Sequence, residues 1–365
     1  MKTKVMFAAI MATVSLVIDV SAQQSALFEP PKDRQLLVIG QDMGAIGGFP
    51  KPNNDGYVDH IDIKPGGVTT YTGLTKLGGL KTLVNLYSGD TWAQAIIDNP
   101  IYANSVLVIG LHMVDQEKSA ANGELDAQIK MLGEWIKQTK RPVFLRIGYE
   151  FDGTWNHYDP ESYKAAYKRL VTKFRELQVT NCVTVWQAST SPVNGKQADI
   201  GKWYPGDEYV DWIGYSWFLS SANQIKLTDG LLAFAREHKK PVMVCESAPQ
   251  GYDNARLTQR NIYKGIDPKE KTPEKIWKEW YAPFFNYIEK NKDVIRIVAY
   301  INVNWDSQML WGWPYLHGYW GDSRVEVNPD IKKLWLETIS DKKWMNSSPT
   351  LFQDLGFPAQ SDRGT

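Results

Sequence analysis

Two glutamates stand at matching places in this 365-residue chain. Glu150 lies in the stretch RPVFLRIGYEFDGTWN, residues 141–156, and Glu246 lies in PVMVCESA, residues 241–248. Each follows an apolar run that opens with proline, Pro142 and Pro241. A run of that length, bounded by Pro and polar or Gly residues, reads as a buried strand rather than a helix. Two such strands facing each other across one site would present a pair of carboxyl groups, and such a pair can cleave a glycosidic bond. One carboxyl must hold a proton for the leaving oxygen, and the other must be ionised to attack the anomeric carbon or to activate water. Burial and mutual repulsion raise one pKa and keep the pair in different protonation states near neutral pH. Arg146 lies inside the first run, and a buried charge is costly unless paired, so an anionic group must lie within its reach. The plainer alternatives are a surface acid following an ordinary strand, and glutamates that serve only as ion-pair partners for core residues such as Arg146.

The elements that must position these residues form a regular series. Buried-strand patterns fall at Leu36–Asp42, Leu83–Leu86, Ser105–Met113, Val143–Tyr149, Val183–Ser189, Val210–Phe218, Pro241–Ala248 and Ile295–Trp305. Helical spacing of apolar residues predicts helices over Ala120–Thr139 with Asn122 as N-cap, Pro160–Leu177 after Asp159, Leu231–His238, Glu274–Lys290 and Asp330–Ser340. Strands alternating with helices imply a parallel sheet, and eight such units imply the α/β class with a single (β/α)8 TIM barrel. An open doubly wound sheet is the alternative, and the lack of GxGxxG after the first strand weighs against it. A barrel of this kind places its site at the carboxyl ends of the strands. The substrate-binding candidates there are Gln41, Asp42, His112, Arg146, Trp155, Asn156, Trp186, Tyr215, Trp217, Asn304 and Trp305. Trp305, Trp311, Trp313 and Trp320 should wall a cleft, because flat rings suit the C–H faces of sugars.

Composition narrows the partners. Basic and acidic residues balance at 41 each, which argues against nucleic acid and against a strongly anionic polymer. Two lysines, an apolar run and Val20-Ser21-Ala22 read as a secretory signal over 1–22 with cleavage after Ala22, so a secreted or periplasmic location is expected, with no membrane insertion. Residues 23–365 would then be one catalytic domain, expected to act as a monomer. Cys182 and Cys245 fall on strands that would not be neighbours, so free thiols are expected rather than a disulfide. No HExxH or Cys/His set, GxSxG elbow, P-loop or calcium loop is present, so neither a metal nor a cofactor is expected.

Several stretches carry a resemblance: IGQD (39–42), PGGVTTYTG (65–73), residues 141–156, VWQAS (185–189), WYPGDEYVDWIGYSWF (203–218), KPVMVCES (240–247), YINVNWDSQ (300–308), GYWGDSRV (318–325) and TLFQDLGF (350–357). In order along the chain they resemble the retaining glycoside hydrolases of clan A, within them family 26, and most closely its β-1,3-xylanase group. The resemblance implies the (β/α)8 fold, a polysaccharide or oligosaccharide substrate, double displacement, Glu150 as acid/base and Glu246 as nucleophile. One departure is Tyr149, where the clan commonly has Asn and the family's mannanases have His. This points away from mannan and towards an endo-β-1,3-xylanase, with a β-mannanase or mixed-linkage β-glucanase as the alternatives. A non-catalytic sugar-binding barrel is the reading from another class, and keeping both glutamates argues against it.

Overall fold

The computed structural model describes residues 27–191, 199–260, 267–311 and 319–358. The leader expected over 1–22 and Trp313 lie outside the described residues. Eight parallel strands close into a barrel: β1 (Gln35–Gly40), β2 (Gly67–Gly73), β3 (Val106–His112), β4 (Val143–Ile147), β5 (Cys182–Ala188), β6 (Trp212–Trp217), β7 (Val242–Ser247) and β8 (Ile295–Ile301). Each pairs with the next in sequence, and β8 closes onto β1 from Leu36↔Ile297 to Gly40↔Ile301. Among the described residues, no helix is long and apolar enough to cross a membrane. Both cysteines are free.

The second strand corrects the sequence expectation. Leu83–Leu86 is not a barrel strand; Val84–Asn85 pairs with Asp90–Thr91 in a short hairpin, and Leu83 is exposed. The barrel strand is Gly67–Gly73, GVTTYTG, in register with β3 from Gly67↔Val106 to Gly73↔His112. Threonine is β-branched and suits a pleated strand, but three of them break the apolar run that marks a buried strand.

The helices also shift. The pattern over Ala120–Thr139 divides into Glu117–Asn122 and α1 (Asp126–Gln138), because Gly123 adopts left-handed geometry at φ 88° and ends the first piece. Asn122 is therefore the last residue of a helix, not an N-cap. Helix α2 (Pro160–Glu176) starts as expected, with the Asp159 carboxylate accepting from the Ser162 N–H at 2.9 Å. Helix α3 (Ala222–Glu237) begins well before Leu231, capped by the Ser221 hydroxyl. The long aromatic helix is Pro273–Ile276, a π turn at Trp277–Tyr281, and α4 (Ala282–Lys290); α5 (Pro329–Ile339) follows β8.

Side-chain alternation divides each strand between two cores. Leu36, Val38, Val106, Val108, Phe144, Val183, Val185, Trp212, Met243, Ile297 and Ala299 fill the barrel, and Phe28, Leu351 and Leu355 join the same cluster. The alternate residues, among them Ile39, Leu107, Leu145, Trp186, Ile213, Tyr215 and Val244, pack outward with Tyr163, Tyr167 and Phe284 of the helices. This alternation decides which candidate can reach the site.

Candidate active site

Arg146 occupies an interior position of β4 and is fully buried. Its Nη1 lies 2.8 Å from Glu246 Oε1 and donates to the Cys245 carbonyl at 3.3 Å. The guanidinium sits 4.9 Å from the Tyr71 ring centroid and 5.2 Å from that of Tyr149, within cation–π range. Burial alone would lower its pKa, but Tyr71 and Glu246 outweigh that and hold it above the ordinary arginine value. Gly110 on β3 makes the room: a Cβ there would lie 2.5 Å from both Arg146 Nη2 and the Tyr71 ring. The anionic partner required by Arg146 is thus Glu246, at the end of β7.

Glu150 follows β4 through a turn in which Gly148 and Glu150 are both left-handed, at φ 54° and 53°. Asn156 braces that turn by donating its Nδ2 to the carbonyls of Tyr149 and Glu150, each at 3.0 Å. The Ser216 hydroxyl donates to Glu150 Oε1 at 2.7 Å, and the Trp155 indole N–H donates to Oε2 at 2.9 Å. Burial, then the charge of Glu246, push the Glu150 carboxyl up to about 8, against the two donors, which favour the ionised form. Ser216 faces Glu246 in the β6–β7 register, so one serine links the two acids. The arrangement contains a carboxylate paired with a buried cation beside a carboxyl that keeps its proton near neutral pH, as an acid–nucleophile pair requires.

Of the remaining candidates, His112 ends β3 exposed, its ring centroid 6.4 Å from that of Tyr149, and Trp155 is 46% exposed beside Glu150. Gln41 is buried just past β1, with its amide nitrogen lacking a partner among the described residues. Asn304 is half-buried past β8 and bridges to Asp322. Six candidates need correction. Trp186 is fully buried on the outer face of β5, stacked 4.3 Å from Phe151, with its N–H on the Trp203 carbonyl. Tyr215 and Trp217 point outward from β6; Trp217 packs 4.8 Å from Tyr287. Trp305 is 1% exposed, its N–H bound to Ser323 and its ring stacked 4.7 Å from Trp320, so it backs the aromatic cluster instead of offering a face. Asp42 caps a helical turn through the Ala45 N–H and accepts from Gln308 at 3.0 Å; burial pushes its carboxyl up to about 6. Asn156 braces the Glu150 turn, as above.

Tyr71 escaped the sequence reading, and Gln187 and Ser216, which stand at the ends of the fifth and sixth strands, are passed over there in favour of their aromatic neighbours. Tyr71 lies on the misassigned second strand. Gln187 and Ser216 are the interior neighbours of the chosen aromatics Trp186 and Tyr215. Strict alternation from Val183 and Val185, and from Trp212, would have picked them.

Comparison with known proteins is consistent with this picture. The Glycosyl hydrolase family 26 model matches residues 107–237. The β-1,3-xylanase TXYA of a Vibrio species is 38% identical over 337 residues, covering 92% of this chain and 70% of that protein. A β-1,3-xylanase of an Alcaligenes species is 36% identical over 332 residues, covering 90% and 68%. The catalytic domain of a family 26 endo-β-1,4-mannanase from Bacillus sp. JAMB-750 superposes with a TM-score of 0.58 at 17% identity, over 93% of this chain and 99% of that one. A family 26 β-mannanase from Bacteroides ovatus gives 0.56 at 15% identity, over 88% and 93%. The two structures share the fold; at such identity they say nothing finer.

Proposed function

This chain belongs to glycosyl hydrolase family 26, and on that basis we propose that it is a secreted, retaining endo-β-1,3-xylanase. A glycosidase acting on a polysaccharide follows from the family itself. The finer reading is supported chiefly by the contrast between two neighbouring acids: Glu246 paired with the buried Arg146, and Glu150 pushed up by burial and by Glu246.

In the first step the Glu246 carboxylate attacks the anomeric carbon while Glu150 gives its proton to the leaving glycosidic oxygen. The product is an ester between Glu246 and the sugar. Esterification removes the negative charge of Glu246, so the Coulombic push on Glu150 falls and Glu150 stays ionised, in the form that serves as a base for the second step. Glu150 then takes a proton from water, the hydroxide equivalent attacks the anomeric carbon, and Glu246 leaves as carboxylate. Two inversions give net retention. Arg146 orients Glu246 and compensates its charge throughout.

The β-1,3-xylan assignment rests on the two relatives and on Tyr149, which occupies the place of the mannanase histidine and packs its ring against Arg146 and Tyr71. Xylose has no C6 hydroxymethyl group, so bulky rings can close over that edge where a hexose would clash. Beside the β8 end the half-buried Trp311 can supply such a ring, packed on the buried Trp305 and Trp320 behind it. Reducing-sugar release from β-1,3-xylan, β-1,4-xylan, β-1,4-mannan and mixed-linkage β-glucan at equal enzyme tests the reading. β-1,3-Xylan should be the best of the four and should yield short oligosaccharides. Any other ranking removes the subgroup assignment and leaves the two-glutamate mechanism standing. The leader over 1–22 supports secretion, and the amino terminus of the exported protein, expected at Gln23, checks it.

A further inference from the structure

We propose that Ser216 is a positioning residue for Glu150: its hydroxyl, aimed by Gln187, holds one carboxyl oxygen as an acceptor and leaves the other to carry the catalytic proton. The inference rests on the reading of Glu150 as acid/base. Ser216 Oγ lies 2.7 Å from Glu150 Oε1, and Gln187 Nε2 donates to the same Oγ at 3.1 Å. A serine hydroxyl has one proton and two lone pairs. With Gln187 filling a lone pair, the proton is directed at Glu150. Neither Ser216 nor Gln187 is accessible to solvent, so the hydroxyl cannot turn to water instead. The Ser216 backbone is equally fixed, because its carbonyl accepts from Thr190 Oγ1 at 2.8 Å and from Gln224 Nε2 at 3.2 Å.

The second oxygen has a different environment. Among the described residues, Oε2 accepts from Trp155 alone, a residue that is 46% exposed and so lies on the open side of the mouth. A leaving sugar arrives from that side. In the first step the proton passes from Oε2 to the glycosidic oxygen, and the indole N–H stabilises the charge left on Oε2. In the second step a proton from the attacking water returns to Oε2. Oε1 remains an acceptor from Ser216 in both protonation states.

Ser216 also opposes the groups that raise the Glu150 pKa. Beyond burial, the largest cause, those groups are Glu246 on β7 and Asp152 in the same turn as Glu150. All of them remain in Ser216→Ala, so the variant isolates the lost donor. A hydrogen bond to a charged group is strong enough to move a pKa by about one unit. The basic limb of kcat/KM on β-1,3-xylan should therefore move up by about one pH unit, and kcat at neutral pH should fall about tenfold. An aryl β-xylobioside with a dinitrophenolate leaving group, which needs little proton donation, should lose far less. Ser216→Thr keeps the hydroxyl and should return the limb, and Gln187→Met should shift it in the same direction by a smaller amount. A fall in rate that is equal for both substrates, with an unmoved limb in Ser216→Ala and Gln187→Met, would overturn the inference. Should Ser216→Ala fail to fold, Gln187→Met and Ser216→Thr decide it by the same readout. Glu150→Ala separates the two claims: if it loses the aryl substrate as fully as the polymer, the acid/base reading itself has failed.

Discussion

Replacing Arg146 with methionine removes the cation and retains most of the volume. The guanidinium is fully buried, and its Nη1 lies 2.8 Å from Glu246 Oε1. Two opposite charges with centres about 4 Å apart attract by about 4 kcal/mol at an effective dielectric constant near 20. Methionine would leave Glu246, whose side chain is 11% exposed, without that compensation. Removing one partner of a buried pair typically costs about 3–5 kcal/mol, and urea unfolding of Arg146→Met should show a loss of that order. The ionised form of Glu246, the proposed nucleophile, is destabilised as well. The acid limb of kcat/KM should move to higher pH by about one to two units, and the rate at neutral pH should fall by a factor of about 100 or more. The double variant Arg146→Met/Glu246→Gln should be about 2 kcal/mol more stable than Arg146→Met, because a neutral amide no longer needs the cation, and it should remain inactive. Wild-type stability with an unmoved acid limb in Arg146→Met would refute the account. So would a double variant no more stable than the single.

Glu246→Ala should abolish turnover on every substrate, whereas Glu150→Ala should lose polymer hydrolysis, keep first-step activity on a dinitrophenyl glycoside, and give a β-azide product when azide is added; a β-azide from Glu246→Ala would mean the roles are exchanged. Glu246→Gln removes the charge that helps to raise Glu150, so carboxyl NMR should show the Glu150 pKa falling, and an unmoved titration would mean the acids are not coupled. Asp42 titrates at about 6 in the folded protein against 3.8 for an ordinary aspartate, so its contribution to stability is full below pH 3.8 and is lost as pH rises through 6. Asp42→Asn should therefore gain about 3 kcal/mol relative to wild type between about pH 4 and pH 7.5 in urea unfolding, and a pH-independent difference would show that burial does not disfavour the charge.

Seven of the eight barrel strands were legible because a parallel barrel buries both faces of each strand, which produces continuous apolar runs. Gly67–Gly73 was not, because its threonines and Tyr71 read as loop. Glu150, Glu246 and the need of Arg146 for an anion were legible from residue type and strand position alone. The aromatic candidates were not. Trp186, Tyr215 and Trp217 lie near the strand ends as expected, but a strand end has two faces, and these rings cover the helices. Large rings stabilise that outer layer by the same apolar area that suits them to sugars, so residue type could not separate the two roles. Register could have done so, had β5 and β6 been read as strict alternations.

Alternation itself fails at the two acids. On β7 it would place Glu246 outward with Val244. The β6–β7 pairing instead runs Tyr215↔Val244 and then Ser216↔Glu246, so two residues of β7 oppose one of β6 and Cys245 is the extra one. Such a bulge re-aims the side chain that follows it. Cys245 and Glu246 both turn inward, the first into the barrel core and the second onto Arg146. On β4, Gly148 carries the chain out of the strand with its α-carbon facing Tyr163 of α2, and Glu150 takes a left-handed conformation that a non-glycine residue adopts at a cost of roughly 1–3 kcal/mol. Asn156 holds that conformation from the far side of the turn. The carboxyl groups therefore meet because each strand departs from its regular form at the residue that carries the acid. The departures also explain why Ser216, regular in its own strand, can touch Glu150 and stand in register with Glu246 at once: both acids have been brought to the interior face that β6 presents without any irregularity of its own.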